Sequence, residues 1–227
     1  MSDIKKNLIK TKENILNEEL KSNRIKNTIT LVAVSKTQSA ENIKVAYEAG
    51  QKDFGENYLQ EAMAKISALN KLNLSWHYIG PVQSNKTLKI AENFEWVHSI
   101  DRKKIALRLN EHRENHPNPL KICVQVNLSN ENSKSGVPLE ETEELCMFVN
   151  NLSNLQLRGL MSIPASEPNF DNQRTNLKKL KTKFLELQEK IPSMDTLSMG
   201  MSNDFEAAIA EGSTLIRLGT ALFGPRT

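Results

Sequence analysis

The sequence predicts an α/β fold, a single (β/α)8 TIM barrel over residues 1–227 with an extra helix ahead of it, on three observations. Short runs of β character alternate with amphipathic helical stretches eight times from Thr28 onward, and no long linker interrupts them. Several of these runs are apolar or mixed along their length, as parallel strands are when helices cover one face and a filled interior covers the other. Eight such units in about 200 residues suit the small end of the barrel's size range. A doubly wound open sheet competes with this. It would place its ligand at a strand-order switch point, preferably beside a Gly-rich first turn, and the first turn here, VSKTQS, has no glycine.

Taken in order, residues 3–26 carry Ile4, Leu8, Ile15, Leu16, Leu20 and Ile25 at near-helical spacing, which predicts one amphipathic helix. Its lysines, Lys5, Lys6, Lys10 and Lys12, are interleaved with Glu13, Glu18 and Glu19 and read as a solvated face. Strands are expected at 28–36, 52–57, 75–80, 95–100, 121–128, 155–163, 195–200 and 214–219. Helical patterns fill the intervals at 39–50, 57–70, 84–92, 101–115, 138–151, 170–190 and 203–211, and Ser39, Ser84, Asp101, Asp171 and Ser202 stand where N-caps are wanted.

Composition removes several classes of function. The 30 basic and 27 acidic residues leave a net charge of +3, spread along the chain, so nucleic acid is not an expected partner. No apolar run approaches the ~20 residues a membrane span needs. Cys123 and Cys146 share no CxxC spacing, and nothing ahead of them resembles a secretory core, so reduced thiols in the cytoplasm are expected. His112 and His116 have the spacing of a metal pair, but HRENH lacks the HExxH order and runs into Pro117; a solvated helix end is expected.

A barrel concentrates function at the carboxyl ends of its strands. The residues there are Lys36, Asn57, Gly80, Ser99, Asn127, Ser162, Met199 to Asn203, Gly219 and Thr220. Barrels frequently hold phosphate after strands seven and eight, and here the two loops read SMGMSND and GTALFG: Ser202 could cap one helix, Gly219 and Thr220 could open another, and two helix N-termini facing each other would cradle an anion. Arg217 points either into the barrel with Leu215 and Gly219 or outward beneath a helix, and inside it needs a partner such as a pyridine nitrogen or a carboxylate. A reactive lysine, a phosphate cradle and an inward arginine together suggest pyridoxal 5'-phosphate (PLP) held as a Schiff base on Lys36, whose pKa burial and nearby positive charge would lower. His77 and His98 read as packed, hydrogen-bonded histidines, and Met161, Met199 and Met201 as core filler or padding for a cofactor ring.

Seven blocks, AVSKTQS, DFGENYLQE, WHYIGPVQSNK, VNLSNENSKSG, RGLMSIP, LSMGMSNDFEAAIAEGST and IRLGTALFG, resemble in order the YggS/PROSC family of pyridoxal-phosphate homeostasis proteins, from about residue 28 to 224. The resemblance implies a fold-type III barrel akin to the N-terminal domain of alanine racemase, with PLP covalently on Lys36. It implies Asn57 near the cofactor, Ser202, Gly219 and Thr220 on the phosphate, Arg217 at the pyridine nitrogen, and Met199, His77 and Ser162 as further pocket residues. It also implies a non-catalytic protein of intracellular vitamin B6 homeostasis, serving PLP-dependent apoenzymes. The β-domain that follows the barrel in alanine racemase is not in this sequence, so racemase activity is not expected and a monomer is. An amino-acid racemase-like enzyme remains the alternative function. A Schiff-base aldolase without cofactor would need an acid near the lysine, for which Glu56 is the best candidate.

Overall fold

The structure, a computed structural model, describes residues 3–129 and 135–224. Residues 130–134 of the VNLSNENSKSG block lie outside the described residues.

The expected eight strands are present: β1 (Thr30–Val34), β2 (Asp53–Glu56), β3 (Ser75–Tyr78), β4 (Trp96–Ile100), β5 (Leu120–Asn127), then after a short β6 (Val137–Pro138) come β7 (Leu155–Met161), β8 (Thr196–Ser198) and β9 (Leu215–Leu218). Their hydrogen-bonded order is β4-β3-β2-β1-β9-β8-β7-β5, and pairing of β4 with β5 closes the ring. Every pairing is parallel. β6 adds to the end of β5 through Val126 and Asn127; two residues, one of them proline, leave no periodicity by which a sequence could announce it.

The helices are α1 (Asp3–Lys21), α2 (Ala40–Glu48), α3 (Leu59–Ala68), α4 (Thr87–Asn93), α5 (Lys103–His112), α6 (Thr142–Asn150), α7 (Phe170–Lys190), α8 (Phe205–Ala210) and α9 (Thr220–Phe223). Outward strand residues such as Leu31, Ala33, Phe54, Tyr78, Val97, Ile122, Leu197 and Ile216 pack with helix residues such as Ile43, Ile105, Leu109 and Leu180 in one core between sheet and helices. Each such fully buried side chain contributes roughly 1.5–3 kcal/mol. The alternate strand residues turn inward, where Trp96, Cys123 and Met161 form a separate small apolar patch.

Several local expectations need correction. α1 ends at Lys21 because Asn23, at φ 53, leaves the helical region. Glu19 is no solvated charge: it is 1% exposed and accepts the backbone N–H groups of Asn27 (2.8 Å), Thr28 (2.8 Å) and Ile29 (3.1 Å), fixing the approach to β1. Ser39 does cap α2, accepting from the Asn42 N–H. The other predicted caps do not. Ser84 opens a 3-10 turn before α4, and Asp101 instead accepts from the Arg102 side chain. Asn169, two residues before Asp171, caps α7, and Asp204 stands at the cap of α8 in place of Ser202. Only at α7 does a neighbouring side chain take over, Asn169 accepting the N–H groups of Asp171 and Asn172; the starts of the 3-10 turn, α5 and α8 carry no side-chain cap.

Candidate functional site

At the carboxyl ends of β1, β8 and β9 a cavity of about 140 Å³ is lined by Val34, Lys36, Thr37, Gln38, Met201, Ser202, Arg217, Gly219, Thr220 and Gly224. Five predicted site residues, Lys36, Ser202, Arg217, Gly219 and Thr220, thus meet in one place. β1 delivers the lysine: Val32 and Val34 share the inward parity of the strand, Val32 lies in register with Arg217, and Lys36 continues that parity two residues further. Lys36 is half-buried. Gly219 sits against β1, where a Cβ would come within 3.1 Å of the Val34 carbonyl oxygen, so a side chain there would press on the strand that carries the lysine.

Ser202 reaches the cavity without being a helix cap. Asp204 shapes its loop by accepting the Met201 N–H at 2.7 Å, so the expected pair of facing helix N-termini is replaced by one loop closed on its own carboxylate and one short turn, Gly219 into α9. What faces the cavity from these two loops is hydroxyl: the exposed Ser202 and Thr220.

Arg217 resolves the open question of its direction. It points inward, is 3% exposed, and donates from Nη1 to Ser198 Oγ at 2.6 Å and from Nη2 to the Ser162 carbonyl at 3.0 Å. Burial lowers its pKa to about 10, which leaves it a cation at neutral pH. No carboxylate shares a hydrogen bond with it among the described residues; a chain of neutral groups does the work instead. Ser198 Oγ lies 2.8 Å from His98 Nδ1, His98 Nε2 lies 2.9 Å from His77 Nδ1, and His77 Nε2 lies 3.1 Å from Asp53 Oδ1. Burial first, then the neighbouring His77 and Arg217, hold the pKa of His98 well below 6.5. With His98 neutral, one polarity satisfies every link: Arg217 donates to Ser198, Ser198 to His98, His98 to His77, and His77 to Asp53.

That chain explains where His77 goes. It lies deep in the barrel, stacked on Trp96 at 5.4 Å, and borders a cavity at the opposite mouth with Asp53, Lys121, Arg158 and Asp195, so it does not line the Lys36 cavity. Ser162 acts on the site only through its carbonyl; its hydroxyl donates to the Val126 carbonyl at 2.9 Å. Met199 shares the outward parity of Leu197 and is buried in the core between sheet and helices. Gly200, at φ 103, then turns the chain so that Met201 takes the place beside the cavity. Asn57 follows β2, and its Oδ1 is buried with no hydrogen-bond partner, an acceptor left over at the lysine's end of the barrel. Glu56, the carboxylate closest in sequence to these ends, faces away from the axis: it is 0% exposed, accepts from Ser35 Oγ and Lys65 Nζ, and does not line the cavity, which removes the acid an aldolase would require.

Val34, Thr37, Gln38, Ser198 and Gly224 belong to the site and were not expected there. Thr37 and Gln38 had a signal in their position, directly after the lysine on the same loop; Ser198 had none beyond its inward parity. Burial pushes both Cys123 and Cys146 thiols up to about 12. Among the described residues no cluster of His, Cys, Asp and Glu could hold a metal ion, and no helix is long and apolar enough to cross a membrane.

The set lining the cavity fits PLP: an amine for the aldehyde, a buried guanidinium for the ring, and hydroxyls with a side-chain-free glycine for the phosphate; Asn57, with its unsatisfied buried acceptor, does not line it. Comparison with known proteins points the same way. Residues 13–227 match the alanine racemase N-terminal domain family. The pyridoxal phosphate homeostasis protein of Escherichia coli (strain K12) is 48% identical over 229 residues, covering 100% of this chain and 98% of that protein. Among solved structures, an unknown protein from Bifidobacterium adolescentis superposes with a TM-score of 0.92 at 28% identity, covering 97% of this chain and 94% of the other. PipY of Synechococcus elongatus with PLP bound gives 0.81 at 36% identity, covering 92% of this chain and 100% of the other.

Proposed function

Because this chain belongs to the alanine racemase N-terminal domain family and, within it, to the pyridoxal phosphate homeostasis proteins, we propose that it binds PLP covalently on Lys36 and keeps it available to PLP-dependent apoenzymes, in the cytoplasm and without turnover of its own. The observation that carries this reading is the company of Lys36. A buried arginine and three hydroxyl side chains, Thr37, Ser202 and Thr220, line the same cavity, and no carboxylate does.

Lys36 would hold PLP through its amine, condensing with the electrophilic aldehyde that the cofactor would supply and releasing one water. The chain's own groups have separable tasks. Ser202, Thr220 and the open N–H groups at the Gly219 turn bind the phosphate. Asn57 Oδ1, buried and without a partner beside the end of β2, would accept from a donor on the bound molecule. Arg217 orients the ring, and as a guanidinium with a pKa of about 10 it donates a hydrogen bond to the pyridine nitrogen but no proton. A ring left unprotonated is a poor electron sink, so carbanion chemistry is disfavoured. The free thiols, both buried and unpaired, suit a reducing compartment.

Purified protein should show the visible absorption of an enclosed, lysine-bound PLP, and Lys36→Ala should lose that band while remaining folded. Deuterium exchange at Cα of added amino acids should stay at the level of free PLP. Exchange far above that level, abolished in Lys36→Ala, would establish an enzyme in place of a carrier.

A further inference from the structure

We infer that α3 carries a clamp, the pair Glu61 and Lys65, which fixes the direction in which Lys36 presents its amine. The inference rests on the reading that Lys36 is the cofactor lysine. The Gln38 N–H donates to the Ser35 carbonyl at 3.0 Å, closing a turn whose second residue is Lys36 and whose third is Thr37. Thr37 has φ 65, in the left-handed region. That third position ordinarily takes glycine or asparagine, and a β-branched residue there is strained. Such a conformation persists only where its surroundings hold it.

Here the backbone groups on both sides of the lysine are held from α3. Lys65 Nζ donates to the Ser35 carbonyl at 2.6 Å, and Glu61 accepts the Thr37 N–H at 2.5 Å. The two side chains, one helical turn apart, are also paired with each other. Glu56 ties this unit to the end of β2, accepting from Lys65 at 2.8 Å and from Ser35 Oγ at 2.6 Å. Lys65 thereby uses all three of its N–H donors, on Ser35, Glu56 and Glu61. Its side chain is 6% exposed and does not line the cavity. A buried ammonium spent wholly on the loop that flanks another lysine has no task toward a ligand of its own. Its consequence is local: with the turn fixed, Lys36 keeps the inward parity of β1 while the chain bends away after it into α2. Glu61 and Lys65 are positioning residues.

The test separates positioning of the amine from the shape of the pocket. Full-length protein is titrated with PLP and with pyridoxamine 5'-phosphate, which has the same ring and phosphate but no aldehyde for Lys36 to capture. Glu61→Ala and Lys65→Met should each weaken PLP binding on the order of 10-fold, with pyridoxamine 5'-phosphate changed less than about twofold. Glu61→Gln, whose carboxamide oxygen can still accept from Thr37, should recover most of the loss. So should Thr37→Gly in the Glu61→Ala background, because glycine adopts the left-handed turn without a clamp. Unchanged PLP affinity in both variants would overturn the inference, and so would equal losses for the two ligands, which would make the pair a prop of the fold alone. Glu61 is the more exposed partner, at 29%, so its variant decides the matter if Lys65→Met does not fold. Borohydride reduction of the PLP-loaded wild type runs alongside: absence of label on Lys36 would sink the underlying reading, whereas label on Lys36 with clamp variants of wild-type affinity sinks only the clamp.

Discussion

Arg217 and Lys65 are both buried cations beside the ends of the same strands, yet the fold satisfies them by opposite means. Lys65 lies between sheet and helix and is shared by two carboxylates, Glu56 and Glu61. Arg217 lies on the barrel's inner face and donates to a hydroxyl and a carbonyl, and from that hydroxyl a hydrogen-bonded relay runs through His98 and His77 to the carboxylate of Asp53. The difference separates a structural charge from a functional one. A lysine neutralised on every side is committed to the protein. An arginine hydrogen-bonded to neutral acceptors, with the Asp204 carboxylate acting on it only through space, keeps its charge available at the cavity wall, where an electron-rich ring or an anion can use it.

Removing each cation should have the largest effect. Lys65→Met leaves Glu56 buried without its counter-charge and should cost about 3–5 kcal/mol, whereas Arg217→Met leaves neutral acceptors unpaired and should cost about 1–3 kcal/mol. Urea denaturation of the two variants without added PLP measures this, and the reverse order would break the comparison. Binding should rank them the other way: Arg217→Met should lose about 1.5–3 kcal/mol of PLP affinity, the worth of a hydrogen bond to a charged group, read as a rise in Kd on the order of 10- to 150-fold.

The neutral chain has its own signature. Because the folded state holds the pKa of His98 below its ordinary 6.5, the unfolded chain takes up that proton first as pH falls. Stability from this group is therefore full above about pH 6.5 and declines below it, by up to about 1.4 kcal/mol per pH unit. Other groups titrate in the acid range with the opposite sign, Glu56 among them since burial raises its pKa, so the quantity to compare is the slope of wild type against His98→Gln between pH 6.5 and 5. The variant should have the flatter decline. The smallest effect concerns the thiols: with both pKa values at about 12, Cys123 and Cys146 should resist alkylation in native protein and react only after unfolding.

The same contrast shows what a sequence can carry. Eight βα units and the meeting of Lys36 with Ser202, Gly219 and Thr220 were legible because each follows from strand order and from which end of a strand a loop leaves, whereas the direction of Arg217 stayed open until the structure turned it inward. Met199, drawn toward the pocket by the family resemblance, lies in the core as its parity with Leu197 requires, and after the turn at Gly200 it is Met201 that lines the cavity. His77 was read correctly as a packed histidine on its own residues, and wrongly drawn toward the Lys36 pocket by family pattern; its height in the barrel depends on register with Gly55 and Trp96, which spacing does not encode. Asn169 displaced the cap expected at Asp171 because a neighbouring residue offered the same oxygen chemistry, and at α8 Asp204 took the N-cap position while spending its carboxylate on the Met201 N–H. Glu61 and Lys65 did carry the i, i+4 signature of a helix pair, but such a pair usually lies on a surface, and nothing in sequence says that it faces residue 37.

The most direct test of the central claim is borohydride reduction of PLP-loaded protein followed by peptide mapping. A single reduced pyridoxyl group on the peptide containing Lys36 is the predicted result. A protein that fails to take up PLP, or that carries the label on other lysines with Lys36 unmodified, would contradict it.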